Sequence, residues 1–249
     1  MTELVLADIG DTRYYSDGKG GPTVEVHQRR VEQPLCLVKV TKRKHCPRTT
    51  GEVFLSDASL FRHNEGEDGD AYDSTHPSKD VRVRAKFPDG WRELEEVGEV
   101  TRSYSPGFLY CMTMERDEEP QVNLSKFGKE DPAASRLLMD PMDFAGVVGL
   151  SLALELGLKK VTVVHGKVRY LDYEARDNEL SRTDVLQSHG IASSSVEATF
   201  VKGHAFQPQN EYRFLFLCDR KGFDGACVPV GNHIKNAATG DTIAVWEAF

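Results

Sequence analysis

The amino-acid sequence predicts an α+β fold, strand-rich, with mostly antiparallel sheets and one main helix. Three observations predict it. Short apolar or alternating stretches recur at 34–40 (PLCLVKV), 51–57 (GEVFLSD), 80–87 (DVRVRAKF), 107–114 (GFLYCMTM) and 211–219 (EYRFLFLCD), with the length and period of strands. Only one segment carries full helix punctuation: Asp140 to cap it, Pro141 at the first helical position and Gly157 to stop it. The elements do not alternate βαβα, which argues against a doubly wound parallel sheet.

Taken in order, residues 1–33 are polar and Gly-rich (SDGKGGPT) and are expected to form an irregular N-terminal arm or a short hairpin, outside the main domain. Residues 34–249 are expected to form a single α+β domain, a size that one core can serve. The strand at 34–40 runs into a basic turn, TKRKHCPRTTG, and the strand at 51–57 into a long acidic segment without periodicity. Loops of that length are usually functional or disordered, so 64–79 is expected to be mobile. Residues 91–104 and 107–114 read as strands separated by Ser-Pro-Gly. In the helix, Phe144, Val147, Val148, Leu152 and Leu156 make one apolar stripe, and Ala145, Gly149 and Ala153 allow close approach to a sheet. KKVTVVHGKVRYLDY is expected to be a hairpin turning at His165–Gly166, a shorter helix is expected over 194–200, and three strands close the chain.

With 39% hydrophobic and 28% charged residues, the composition is that of an ordinary globular protein. The net charge of −8 gives no general attraction to nucleic acid or anionic lipid. One dense basic patch, Lys39, Lys42, Arg43, Lys44, His45 and Arg48, stands against that average. Its plain reading is a solvated turn, and its functional reading is contact with a phosphate-bearing ligand or nucleic acid. No signal peptide or bilayer-length apolar run is legible, and the five cysteines form no CxxC pair. The expectation is a reduced, cytoplasmic protein with no membrane contact. P-loop, Rossmann, zincin and hydrolase-elbow motifs are absent, and the eight dispersed histidines suggest no metal site. The acidic run Glu65, Glu67, Asp68, Asp70, Asp73 lacks the ladder and closing Glu of a calcium loop.

The most suggestive stretch is FVKGHAFQPQNEYRFLFL (200–217). A polar segment, 207–210, runs straight into a strand that is apolar on both faces beyond its first residues. Glu211 and Arg213 fall on one face of that strand, because side chains alternate. A carboxylate at the mouth of a buried central strand suits a ligand pocket, and it equally suits a structural ion pair.

The pattern Lys202, Phe206, then Gln209-Asn210-Glu211-Tyr212-Arg213-Phe214 resembles the C-terminal signature of a group of uncharacterised bacterial proteins. Two upstream pieces are also similar: 51–56 followed by Phe61-Arg62 and 69–73, and 166–170. That group in turn resembles the ADP-ribosyltransferase superfamily, whose members use NAD and carry a late strand-borne Glu with Gln or Glu two residues earlier. The resemblance implies that Glu211 hydrogen-bonds the nicotinamide ribose and that its charge stabilises the oxocarbenium-like transition state. Gln209 would position the acceptor, a protein or a nucleic acid. Arg62, Arg213, Ser56 and Lys202 would serve the cofactor, with Arg62 or His45 as the early group that grips NAD. The chain departs from the superfamily in lacking a clear Ser-Thr-Ser strand. The implied function is an ADP-ribosyltransferase-like protein of a bacterial toxin or phage-conflict system. The alternative is a non-enzymatic binding or assembly protein of phage or mobile-element origin, with Glu211–Arg213 structural. A third class, a nuclease or hydrolase built on Asp70 and Asp73, has less behind it.

Overall fold

A computed structural model of the chain describes residues 9–29, 36–57, 75–78, 84–87, 90–93, 100–103, 107–115, 131–171, 196, 199–218, 225–235 and 240–248. The strands, in chain order, are β1 Ile9–Ser16, β2 Thr23–Arg29, β3 Cys36–Lys42, β4 Glu52–Asp57, β5 Thr75–Ser78, β6 Arg84–Phe87, β7 Gly90–Glu93, β8 Val100–Ser103 and β9 Gly107–Glu115. They continue with β10 Pro132–Leu137, β11 Lys160–Lys167, β12 Arg169–Leu171, β13 Val201–Gly203, β14 Glu211–Leu217, β15 Gly225–Pro229, β16 His233–Lys235, β17 Thr242–Ala244 and β18 Trp246–Ala248. The helices are α1 Pro47–Thr50 and α2 Pro141–Leu156. The protein is thus strand-rich with one main helix.

Ten strands join in one mixed sheet, ordered β1-β2-β11-β14-β9-β3-β10-β18, with β4 sharing the second edge of β9 and carrying β15. Its pairings are antiparallel except β2 with β11. β14 lies between β11 and β9, so its backbone is hydrogen-bonded on both edges. Its residues are buried on both faces through Phe216, as the unbroken apolar run predicts for a central strand.

Asp140 caps α2, its side chain accepting from the backbone N–H of Met142 and Asp143, and Gly157 ends the helix in the left-handed conformation at φ 64°. The expected stripe faces the sheet. Phe144, Val148 and Leu152 are buried, and Val147 and Leu156 are half-buried against the same core. The helix lies over β1, β2, β11 and β15. Gly149 permits the approach: a Cβ there would sit 2.7 Å from Val24 Cγ1. Beneath the helix, Tyr110, Phe144, Phe214 and Trp246 interlock in tilted and edge-on pairs 5.2–6.4 Å apart, the geometry that aromatic quadrupoles favour.

Three expectations are corrected. Residues 9–29 take the hairpin alternative, β1 against β2, and are no separate arm, because β2 joins the main sheet beside β11. Val24 and Val26, two residues apart, bury one face of β2 in the core, which is enough to recruit it. Second, the chain does not turn at His165–Gly166, because pairing with β2 and β14 holds β11 extended through Lys167. Gly166 is there for space, since a Cβ would meet that of Arg29 at 2.9 Å. Third, the short helix expected over 194–200 is present at Val196 and has ended by 199–200, which form a turn, while 194–195 and 197–198 lie outside the described residues. Of the acidic segment, Thr75–Ser78 is β5, paired with β8, and 58–74 lies outside the described residues.

Candidate functional site: a buried carboxylate at the mouth of the central strand

The face of the sheet opposite α2 carries the charge. Ahead of β14 the chain makes a 3-10 turn, His204–Gln209, and reverses at Asn210, whose φ of 42° is left-handed. Asn tolerates that conformation better than most residues. Its N–H donates to Gln207 O, its carbonyl accepts from Met114 N–H at 2.8 Å, and its side-chain amide donates to Met114 O. This clamp sets the directions of the residues on either side of it, Gln209 and Glu211.

Glu211 opens the strand and is buried, with a relative exposure of 7%. Its backbone N–H donates to the Tyr170 hydroxyl at 2.8 Å. Arg213, fully buried two residues on, grips the carboxylate in a fork, Nε to Oε1 at 3.0 Å and Nη2 to Oε2 at 3.2 Å. Its Nη1 donates to Thr199 O. From β13, Lys202 Nζ reaches Glu211 Oε2 at 3.0 Å and donates to Gln209 Oε1 at 2.9 Å. The Cys111 thiol, on the neighbouring strand β9 opposite Arg213, also donates to the Glu211 carboxylate.

Burial pushes the Glu211 carboxyl up, but the charges of Arg213 and Lys202 and the bonds from Arg213 and Cys111 outweigh it and hold the group at about 2. It is therefore ionised at neutral pH, has no proton to give as a general acid, and is only a weak base. Its chemistry is that of a fixed negative charge. Two bonds from Arg213 and the close ammonium of Lys202 engage both oxygens of the carboxylate.

Four of the residues picked from the sequence thus meet: Gln209, Glu211, Arg213 and Lys202. Ser56 does not join them. On β4 it pairs across β9 with Leu109, which on the far side of β9 faces Leu215, and Leu215 is four residues, or about 13 Å, along β14 from Glu211. His45 is exposed on the turn after β3, and Arg62 lies outside the described residues.

Sequence reasoning missed three members. Cys111 sits in an apolar run and reads as a small hydrophobe, yet burial beside Glu211 pushes its thiol far up and leaves it a protonated donor. Thr199 contributes only its carbonyl, for which no side-chain signal exists. Arg29 ends β2, buried, with its guanidinium carbon 4.7 Å above the Phe200 ring, next to Thr199. The alternation TVEVHQR puts Arg29 in register with Glu25 and His27 and could have marked it.

Among the described residues no cluster of three or more His, Cys, Asp or Glu side chains is placed to hold a metal ion, and no helix is long and apolar enough to cross a membrane. Comparison with protein-family models, with curated proteins and with solved structures finds no match to this chain.

Proposed function

We propose that this chain is an ADP-ribosyltransferase-like protein that uses NAD, of the kind found in bacterial toxins and phage-conflict systems. One observation carries the reading: Arg213 and Lys202 hold the ionised Glu211 carboxylate at the mouth of the central strand, and Lys202 ties Gln209 to it. In this reading Glu211 supplies the negative charge that stabilises the oxocarbenium-like ribose as nicotinamide leaves. Arg213 keeps the carboxylate aimed, since its fork and its bond to Thr199 O fix both groups. Lys202 moves from Glu211 to the pyrophosphate, which opens an acceptor position for the ribose hydroxyl. Gln209, half-buried at the rim, faces the acceptor. Arg29, buried over the Phe200 ring, is a second candidate beside Arg62 for the early cation of the site.

A second reading has a specific observation behind it. Glu211 is buried and both its oxygens are held by buried cations, which is how a structural ion cluster looks. The chain would then be a non-enzymatic binding or assembly protein. Nicotinamide release from NAD separates the two, measured on wild type and on Glu211→Gln at a temperature where circular dichroism shows both folded. The enzyme reading expects wild-type turnover that falls about 100- to 1,000-fold in the variant. Absence of turnover in the wild type, against protein and nucleic-acid acceptors alike, overturns it in favour of the structural cluster.

A further inference from the structure

The basic turn after β3 is rigid and its cations point into solvent. Cys46 and Pro47 are buried, and Cys46 Sγ lies 2.9 Å from Ser135 Oγ, both side chains being buried. Thr50 Oγ1 donates to Cys46 O at 3.2 Å, and Gly51, left-handed at φ 70°, closes α1 with its N–H on Pro47 O at 2.7 Å. Asn232 Nδ2 donates to Arg48 O at 3.0 Å and ties the turn to the chain before β16. Around this anchored backbone Lys42, Arg43, Lys44, His45 and Arg48 are all exposed. Lys39 leaves the patch: its ammonium donates to Cys111 O and sits over the Tyr110 ring.

The neighbouring carboxylates are engaged elsewhere. Asp131 holds Arg43 at 3.1 Å, Glu247 lies 3.8 Å from Arg136, and Glu52 accepts from the Cys227 thiol at 3.1 Å. Lys42, Lys44 and Arg48 are therefore three exposed cations without a carboxylate partner among the described residues. The protein's net −8 does not cancel them locally, because charges beyond about 8–10 Å are screened at physiological salt.

We infer that this turn is a docking surface for the phosphate backbone of a nucleic-acid duplex. A polyanion is the partner that several fixed, solvated cations fit. A membrane surface fits less well, since the exposed large apolar side chains, Tyr14, Phe54, Leu138, Leu154 and Ile243, all lie outside 42–51. A single strand fits less well too, for the turn presents no Phe, Tyr or Trp ring on which successive bases could stack. Successive residues of the 3-10 turn point about 120° apart, so only two or three phosphates are reached at once. This inference stands apart from the NAD reading and survives or fails without it.

The test is anisotropy of a labelled duplex of about 25 base pairs, titrated from about 50 to 200 mM salt. Three neutralised phosphates predict a log–log salt slope of about −2 to −3. Replacing Lys42, Lys44 and Arg48 together by Ala should weaken binding about tenfold or more and flatten the slope by about 0.9 for each phosphate no longer neutralised. The Gln version of the same triple keeps side-chain length and should behave alike, whereas Lys19→Ala with Lys159→Ala, exposed cations elsewhere, should change nothing. Failure of the wild type to bind at the lowest salt overturns the inference. So does equal binding by the triple variants, or tighter binding to phosphatidylserine vesicles than to the duplex.

Discussion

Two ion clusters in this protein use the same chemistry in opposite surroundings. At the start of α2, Arg13 Nη1 lies 3.3 Å from Asp140 and 3.0 Å from Asp143, and Tyr15 donates to Asp143 at 2.8 Å. The Arg13 side chain there is 47% exposed. At the start of β14, Glu211 is held by Lys202 and Arg213, whose side chains are 2% and 0% exposed. The distances barely differ, but the energetics do. Water already solvates the first cluster, so its ion pairs add little. The second has lost its water, so each partner is needed to offset the desolvation of the others. Burial, rather than the number of ion pairs, decides what a charge cluster is worth.

The contrast breaks first at Arg213. Arg213→Met should destabilise the protein by roughly 3–5 kcal/mol, because it leaves a buried carboxylate short of its fork. Denaturant unfolding measures this. Replacing the whole cluster, Lys202→Met with Glu211→Leu and Arg213→Met, should recover most of the loss if the cluster is no more than structural. A triple variant as unstable as Arg213→Met alone would show that the charges contribute stability of their own.

Acid sharpens the comparison. His165 is buried against the sheet, bonded to the Tyr212 hydroxyl at 2.7 Å and to Met142 Sδ at 3.0 Å, and burial lowers it from 6.5 to about 3. The unfolded chain gains a proton there as pH falls below 6.5 while the folded chain stays neutral, so stability is full above 6.5 and declines from there toward 3. Glu211 is depressed from 4.5 to about 2, so its contribution is present above 4.5 and is lost only as pH falls through 4.5 toward 2. Unfolding free energy against pH should therefore fall in two steps. His165→Gln, which cannot titrate, should shrink the upper step to the part contributed by half-buried His27, which burial also lowers, and keep the lower. A wild-type profile flat from pH 7 to 4.5 would refute the assignment.

The smallest effects belong to the exposed cluster. Asp140→Ala should cost about 1 kcal/mol, because it removes the cap from Met142 and Asp143 N–H. Arg13→Ala should cost about 0.5 kcal/mol or less, the usual value of a solvated pair. Thermal melts of the two variants rank them. The opposite order would mean that the ion pairs outweigh the cap.

Much of the scaffold was legible because its signals are local. Helix α2 announces itself by Asp140, Pro141 and Gly157, and β14 by an apolar run too short for a helix and apolar on both faces. That the β1–β2 hairpin belongs to the main sheet was hidden, because its Gly-rich turn, SDGKGG, dominates the composition of the first 30 residues. Two alternating valines, Val24 and Val26, are a weak signal until β11 is there to pair with. Likewise, a Gly between two strand-like runs reads as a turn, and only the nearness of Arg29 explains why Gly166 sits inside a strand.

The sequence by itself determined the strand-rich class, the position and bounds of the main helix, and the shared face of Glu211 and Arg213. These follow from periods of 3.6 and 2 and from capping chemistry, which act within a few residues. Only the tertiary structure decided that Lys202 and Cys111 come to that carboxylate, that Thr199 O and the Tyr170 hydroxyl hold Arg213 and the Glu211 backbone, and that Ser56 stands apart. Those interactions join segments up to about a hundred residues apart, from Cys111 to Glu211. Their worth depends on how much water the fold excludes around them, and exclusion of water belongs to the packed chain as a whole.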